Sequence, residues 1–333
     1  MDRRERITRH ITREQRGIEL GAYFNPLTPK RLGYNCLVVD IADRETLRRQ
    51  AAADPLIPPE TLDRIEEVDL IGTSTDLATL IAARGETGTF DYVVSSHNLE
   101  HLPDPIRFLQ GCAQVLKPGG VVSMAVPDHR TCFDYLRPYT TLADWLSAYA
   151  ERRTRPSAAQ VFQFQALFGM YHVDGKALPT FALTDDPGGF EPSRDLDTAY
   201  EQWHSAMNAP DDRYRDVHCW AFTPASLELL FLDMQRLGLV DLEVEEITDT
   251  IGCEFIVHLR RRAEAAPRVP DEAFWGRRRE LLMRVVDERG ANSPAAYRSQ
   301  FVGTRIYRRG MRWARARLRG TPLGEALKKR LRR

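Results

Sequence analysis

Residues 90–130, FDYVVSSHNLEHLPDPIRFLQGCAQVLKPGGVVSMAVPDHR, decide the fold. Phe90–Ser95 is a short apolar, β-branched run, the composition of a strand buried on both faces of a parallel sheet. Across Pro105–Leu116 the apolar residues Ile106, Leu109, Ala113 and Leu116 recur at helical spacing, and Lys117-Pro118-Gly119-Gly120 ends that helix in a turn. Val121–Val126 is the next strand, stopped by Pro127-Asp128-His129-Arg130. Strand, helix and strand in this order make a parallel βαβ unit, and open α/β sheets gather ligands at the carboxyl ends of their strands. Ser95-Ser96-His97 and Pro127–Arg130 are therefore expected side by side on one rim.

Upstream, Gly17–Gly21 (GIELG), Cys36–Ile41 (CLVVDI) and Val68–Ile71 read as three further strands, with helical stretches at Thr46–Ala53 and Leu77–Ala83. The alternation predicts an α/β fold with a doubly wound, Rossmann-like, mostly parallel sheet. After Arg130 it stops. Residues 131–217 are rich in aromatic residues, Arg, Pro and His, with helix-like stretches at 140–152 and 157–170, and read as a helical insertion over the carboxyl rim. Thr223-Pro224, an N-cap and first-turn pair, opens a helix over 224–237. Leu239–Ile247 and Cys253–Leu259 then alternate as a terminal antiparallel hairpin. The expected organisation is a core of 1–130 and 218–262, an inserted acceptor or lid region at 131–217, and a basic helical C-terminal extension at 263–333, with helices over 274–288 and 306–331.

The 333 residues carry no net formal charge, so the chain as a whole makes no case for nucleic acid. Five scattered cysteines without a C-x-x-C pair argue against structural zinc and a disulfide scaffold. No apolar run approaches the ~20 residues of a membrane span, and MDRRERITRHITREQRG has no apolar signal core; a cytoplasmic setting is expected. Charge is uneven, however: a dozen Lys and Arg against Glu325 alone fall within 303–333. That tail reads as a solvated helix end, an oligomer contact, or a peripheral tether to an anionic surface such as the inner membrane face. The oligomeric state is not indicated.

FDxVxSxHxLEHLxDPxxxL, followed by VLKPGGxxxxxVPD, resembles the second half of class I S-adenosylmethionine-dependent methyltransferases of the type 11-like group. VPDHRTCFDYLRP with TTLADWL further resembles a bacterial subgroup associated with surface-glycan or secondary-metabolite pathways. The resemblance implies a biosynthetic enzyme that uses S-adenosyl-L-methionine and releases S-adenosyl-L-homocysteine.

It also implies roles for residues. The family's acid-x-Gly-x-Gly-x-Gly loop falls on Glu19-Leu20-Gly21-Ala22-Tyr23-Phe24-Asn25: Glu19 and Gly21 match, while Tyr23 and Asn25 stand where the family has glycine. Glu19, Gly21 and Tyr23 would then border the methionine end of the donor. Asp40, after its strand, would hold the ribose hydroxyls, or cap the next turn. Thr73, Ser74, Thr75 or Asp76 would meet the adenine, with Asp76 also readable as a helix N-cap. Ser96 and His97 would touch the methionine portion.

For the acceptor, His129 is the candidate general base, with His97 and Asp128 as further catalytic candidates and Arg130 and Arg137 as an anion clamp. Alternatively Asp128 and Arg130 pair and hold the insertion. His101 is structural or substrate-binding; His172 and His218 are fallback bases. His97 and His101, four apart, would share a helical face, but no third ligand stands near them in sequence and no metal is expected. The aromatic residues of 131–217 form that region's own core or stack on a sugar.

The expected reaction is in-line methyl transfer to a sugar hydroxyl of a glycan or glycosylated metabolite. The protein supplies alignment, water exclusion and one base. Alternatives are N-methylation of a small metabolite, a non-catalytic binding protein that kept the fold and filled its pocket with Tyr23, and an NAD-dependent oxidoreductase, which lacks its G-x-G-x-x-G here.

Overall fold

A computed structural model describes residues 1–291, except Leu56, 209–214 and 263–269, together with Ser293 and Ala296. A short helix α1 (Arg3–Ile7) precedes β1 (Arg16–Leu20), β2 (Asn35–Asp40), α2 (Arg44–Ala53), β3 (Leu70–Ile71), α3 (Leu77–Ala82), β4 (Phe90–Ser96), α4 (Pro105–Val115) and β5 (Leu116–Pro127). Then come α5 (Leu142–Ala150), α6 (Ala158–Leu167), the short strands β6 (Gly169–Val173), β7 (Lys176–Leu178) and β8 (Phe190–Pro192), and α7 (Leu196–Asn208). The described chain closes with α8 (Pro224–Arg236), β9 (Leu242–Ile247), β10 (Glu254–Arg261) and α9 (Asp271–Ala291).

The main sheet runs β3-β2-β1-β4-β5-β10-β9. β1 to β5 are parallel, and β10 is antiparallel to both β5 and β9. The order reverses between β1 and β4, so the topological switch point lies where the first strand ends, the place where such sheets bind ligands. At the start of β1, Gly17 permits close pairing with β4: it faces Tyr92 in register, and a Cβ on Gly17 would overlap the Tyr92 ring.

Helix starts follow local chemistry. The Asp104 side chain accepts from Arg107 N ahead of Pro105, and Thr223 forms a capping box with Ser226 ahead of Pro224. The main core gathers Ile18, Val93, Phe108, Val122, Phe255 and the base of the insertion, where Trp145 of α5 packs edge-on against Phe222 and Phe231.

Three expectations change. Lys117–Gly120 is not a free turn: it lies within β5, as an irregularity in the register with β4 that Gly119 permits through φ +80°. The third strand is reduced to two residues. The region 131–217 is not purely helical; β7-β6-β8 form a small antiparallel sheet around Tyr171, Phe181 and Phe190. The helix expected over 306–331, and the basic tail with it, lies outside the described residues. No helix among the described residues is long and apolar enough to cross a membrane.

Candidate functional site

The carboxyl ends of β1, β2 and β4 build a cradle from the loops that leave them. After β1 the chain turns at Gly21, with φ +62° and nothing within 4 Å of the position a Cβ would take. Gly21 N donates to Val39 O, which ties the turn to β2. Glu19 shapes the rest of this loop. Its carboxylate is buried and accepts from Leu27 N at 2.5 Å, Thr28 N at 2.7 Å and Thr28 Oγ1 at 2.7 Å. Burial pushes the Glu19 carboxyl up, with these donors opposing the shift. Tyr23 sits at φ +43°, a conformation that disfavours side chains. Its ring packs edge-on against Phe24 and joins the cluster of Leu47, Ala51, Ile57 and Ile65 under α2. The bulk that replaces a glycine thus finds a place in that cluster.

Asp40 closes β2. Oδ1 accepts from Ile41 N at 2.7 Å; Oδ2 is buried and makes no hydrogen bond. Burial raises its carboxyl, with backbone donors at Ile41 and Tyr23 opposing. A buried lone carboxylate oxygen costs free energy unless a donor reaches it. Beside it stand two apolar side chains facing outward, Ile41 at 59% and Ile71, the register partner of Asp40, at 57% exposure. Exposed isoleucines next to a buried carboxylate have the make-up of a site for a flat base attached to a diol. The sequence reading missed both; an apolar residue directly after the strand-ending acid was the available signal for Ile41.

The loop after β3 is tied mainly to itself. Thr73 Oγ1 lies 2.8 Å from Thr75 Oγ1 and 2.8 Å from Asp76 Oδ2, and Ser74 Oγ donates to Asn98 Oδ1 at 3.2 Å. Asp76 makes no side-chain cap for α3.

After β4 the rim becomes strongly polar. Ser96 Oγ accepts from Arg3 Nη2 at 2.6 Å, and Arg3 also forks onto Glu254 at 2.7 and 2.8 Å. His97, at φ +50°, places Nε2 2.9 Å from Glu254 Oε2. Burial pulls the His97 imidazole down, but Glu100 and Glu254 outweigh it and raise it to about 9. Burial works the other way on Glu254, yet His97 and Arg3 hold its carboxyl at about 2. Glu100 lies fully inside, and the imidazoles of His97, His101 and His218 overcome its burial to hold it below the ordinary range. The His218 segment is pinned to this turn, because Cys219 N donates to Glu100 O at 2.7 Å and Trp220 Nε1 to Leu102 O at 2.6 Å. His218 Nδ1 lies 2.5 Å from Asp134, which Arg137 also holds at 2.8 Å. Burial would raise the Asp134 carboxyl; His218 and Arg137 lower it to about 2.

The rim after β5 has a different character. Asp128 is wholly buried and paired with Arg130 through Nε at 2.9 Å and Nη2 at 2.6 Å, and it also accepts from Thr250. Its oxygens are thus engaged in the holding pair. His129 is buried, its two ring nitrogens have no hydrogen bond, and burial lowers its pKa. Arg137 holds Asp134, Gln163 and the Cys219 carbonyl, so it forms an internal clasp. His172 lies on the exposed face of β6. The structure therefore brings Gly21, Tyr23, Asp40, Ser96 and His97 to the ends of neighbouring strands. To them it adds Arg3, Glu254, Asp134 and His218, which no local spacing connects.

The methyltransferase-domain family model matches residues 2–244. A ubiquinone biosynthesis O-methyltransferase of Xanthomonas oryzae pv. oryzae is 50% identical over 38 residues, 11% of this chain and 16% of that enzyme. The chain thus spans about a sixth of the length of the curated relative it matches. A solved structure from Rhodobacter sphaeroides named for Zn-dependent alcohol dehydrogenases is 15% identical, with a TM-score of 0.41 over 79% of this chain and 91% of that one. A SAM-dependent methyltransferase structure from Methanosarcina mazei is 14% identical, with a TM-score of 0.38 over 79% of this chain and all (100%) of that one.

Proposed function

The chain belongs to the methyltransferase-domain family, and on that premise we propose that it transfers a methyl group to a hydroxyl oxygen of a sugar, in a glycan or glycosylated metabolite. It is an S-adenosylmethionine-dependent enzyme. The observation that carries the donor assignment is the unpartnered buried Oδ2 of Asp40 beside the open cradle at Gly21. These groups suit the donor: Asp40 would accept from the ribose hydroxyls, Ile41 and Ile71 would flank the adenine, and the bare backbone at Gly21 would admit the methionine end. When bound, S-adenosylmethionine supplies an electrophilic methyl on a sulfonium. The residues of this chain align it and keep water away.

A groove between α6 and α7 supports the acceptor class. Two adjoining clefts of about 490 and 360 Å³ share Gln165 and Gln202, and one of them reaches Asp216, the partner of His101 at 2.8 Å. Ser205, Thr198 and Arg194 add donors and acceptors along its walls. These groups could hydrogen-bond the hydroxyls of a sugar while the apolar part of the lining packs against its ring.

The test uses S-adenosyl-methionine carrying a ¹³C methyl, a panel of sugar and amine acceptors, and NMR of the products. A methoxy carbon on a sugar is expected. A label found only on nitrogen, or no transfer to any sugar by a chain that binds S-adenosylhomocysteine in calorimetry, overturns the hydroxyl assignment.

A further inference from the structure

The rim holds more ligating groups than a donor pocket needs. Glu100 is 0% exposed, and neither of its carboxylate oxygens makes a hydrogen bond. A carboxylate taken out of water must be balanced by something close by. Its Oε1 faces three imidazole nitrogens: His97 Nδ1 at 3.4 Å, His101 Nε2 at 3.9 Å and His218 Nε2 at 4.0 Å. Donor atoms held about 2.1 Å from one centre at tetrahedral angles stand about 3.4 Å apart, so these gaps are close to those of ligands around a shared cation. The ligating atoms of Glu100, His101 and His218 all lie within 4.8 Å of one another.

A second observation points the same way. Each imidazole has its other nitrogen on a carboxylate: His97 Nε2 on Glu254 at 2.9 Å, His101 Nδ1 on Asp216 at 2.8 Å, and His218 Nδ1 on Asp134 at 2.5 Å. An outer carboxylate of this kind fixes the tautomer of a metal-bound histidine and aims the free lone pair at the metal. The charges agree as well. Four carboxylates, Glu100, Glu254, Asp216 and Asp134, crowd this rim, and a dication would share with Arg3, Arg137 and the His97 imidazole the task of balancing them. The group His10, Glu246 and His258, on the turn after α1 and the far strands, lacks this arrangement: His258 Nδ1 bonds Ser123, and Glu246 pairs with Arg9.

We propose that Glu100, His101 and His218 bind one divalent first-row transition cation at the rim beside the donor cradle. Two imidazoles and one carboxylate are a donor set such cations favour, and they leave coordination positions open. Its role deepens the methyl-transfer reading and rests on it. The cation takes the acceptor hydroxyl as a further ligand and polarises it. The O–H bond breaks with its proton released to water; the oxygen pair forms the new C–O bond as the methyl C–S bond breaks, and that pair stays on sulfur.

The full-length chain, stripped with a chelator, is titrated with Zn²⁺ by calorimetry and with Co²⁺ by visible absorption, alongside calorimetry with S-adenosylhomocysteine. One cation per chain is expected, with Co²⁺ bands of a four- or five-coordinate N/O site. His218→Ala and Glu100→Gln should each weaken binding beyond the roughly 10–100-fold typical of losing an outer partner, and Asp134→Asn by about that range. His101→Asn, at a partly exposed position, does the same if the buried variants fail to fold. His10→Ala should leave cation binding unchanged. No stoichiometric cation on a chain that binds S-adenosylhomocysteine overturns the proposal, as does affinity indifferent to both His218→Ala and His101→Asn. Cation binding without S-adenosylhomocysteine binding instead overturns the donor assignment and leaves the metal site standing.

Discussion

At Asp40 the proposed ligand role and local stability can be tested apart. Its Oδ1 is satisfied by the next backbone amide, and its Oδ2 is left buried and bare. Removing the carboxylate relieves the desolvation of Oδ2 but also removes the acceptor of Ile41 N, while losing hydrogen bonds to a charged group costs about 1.5–3 kcal/mol each when a ligand supplies the donors. Asp40→Ala should therefore bind S-adenosylhomocysteine more weakly by at least about tenfold, that is 1.4 kcal/mol or more. Its chemical-denaturation midpoint should stay close to that of the parent, because the two effects on the free protein oppose each other. Unchanged affinity in calorimetry would remove Asp40 from the ribose site. The residue type and its place after a β-branched strand made this position legible in the sequence. Glu254 and Asp134 were not legible, because each acquires its partner from a distant element: His97 lies on β4's exit and His218 beyond the insertion.

The loop between β1 and β2 carries Tyr23 and Asn25 where the methyltransferases it resembles have glycines, and the structure explains how it holds. In their stead the Glu19 carboxylate anchors the return leg at Leu27 and Thr28, and the Tyr23 ring packs outward onto the α2 cluster. Glu19→Ala leaves two buried amides without an acceptor, each worth about 1–3 kcal/mol when stranded. Urea titration should show a loss of about 2–4 kcal/mol, and calorimetry a parallel loss of S-adenosylhomocysteine affinity. Glu19→Gln, which keeps one acceptor oxygen, should lose less of both. A full-stability Glu19→Ala would mean that the loop is held by other contacts. Among the elements, those with long apolar runs or strong caps were readable: β1, β2, β4, α4 and α8 fall within a residue or two of their expected ends. The strands β6 to β8 were not, since three to five residues show too little alternation to outweigh the aromatic helical neighbours around them.

For the molecule as a whole, the far side of the sheet sets a pH limit. His258 of β10 is fully buried and bonds Ser123 at 3.0 Å, and Ser123 in turn donates to Ile7 of α1. Burial, with His10 and Arg9 adding repulsion against the opposing pull of Glu245, lowers His258 to about 4. The folded chain keeps this ring neutral, whereas the unfolded chain protonates it at its ordinary value. Over the window between about 6.5 and about 4 the unfolded state holds more protons, so stability from this group is full above the window and lost as pH falls through it. The span corresponds to at most about 3 kcal/mol. Urea unfolding of the parent and of His258→Asn at pH 7 and pH 4.5 should show a smaller acid loss in the variant. Equal losses would exclude His258 as a source of acid sensitivity.

At this largest scale the division between sequence and tertiary structure is clear. Apolar periodicity and caps are local properties, determined by neighbours along the chain, and they settled the α/β class, the parallel core and the closing hairpin. The meeting of His97, Glu100, His101 and His218, with carboxylates behind the three imidazoles, was decided only by folding. Their juxtaposition depends on a crossover and an insertion that return a distant segment to the rim, where Cys219 and Trp220 lock onto the Glu100 turn. Spacing along a chain records which residues share a face, and it carries no information about which faces meet.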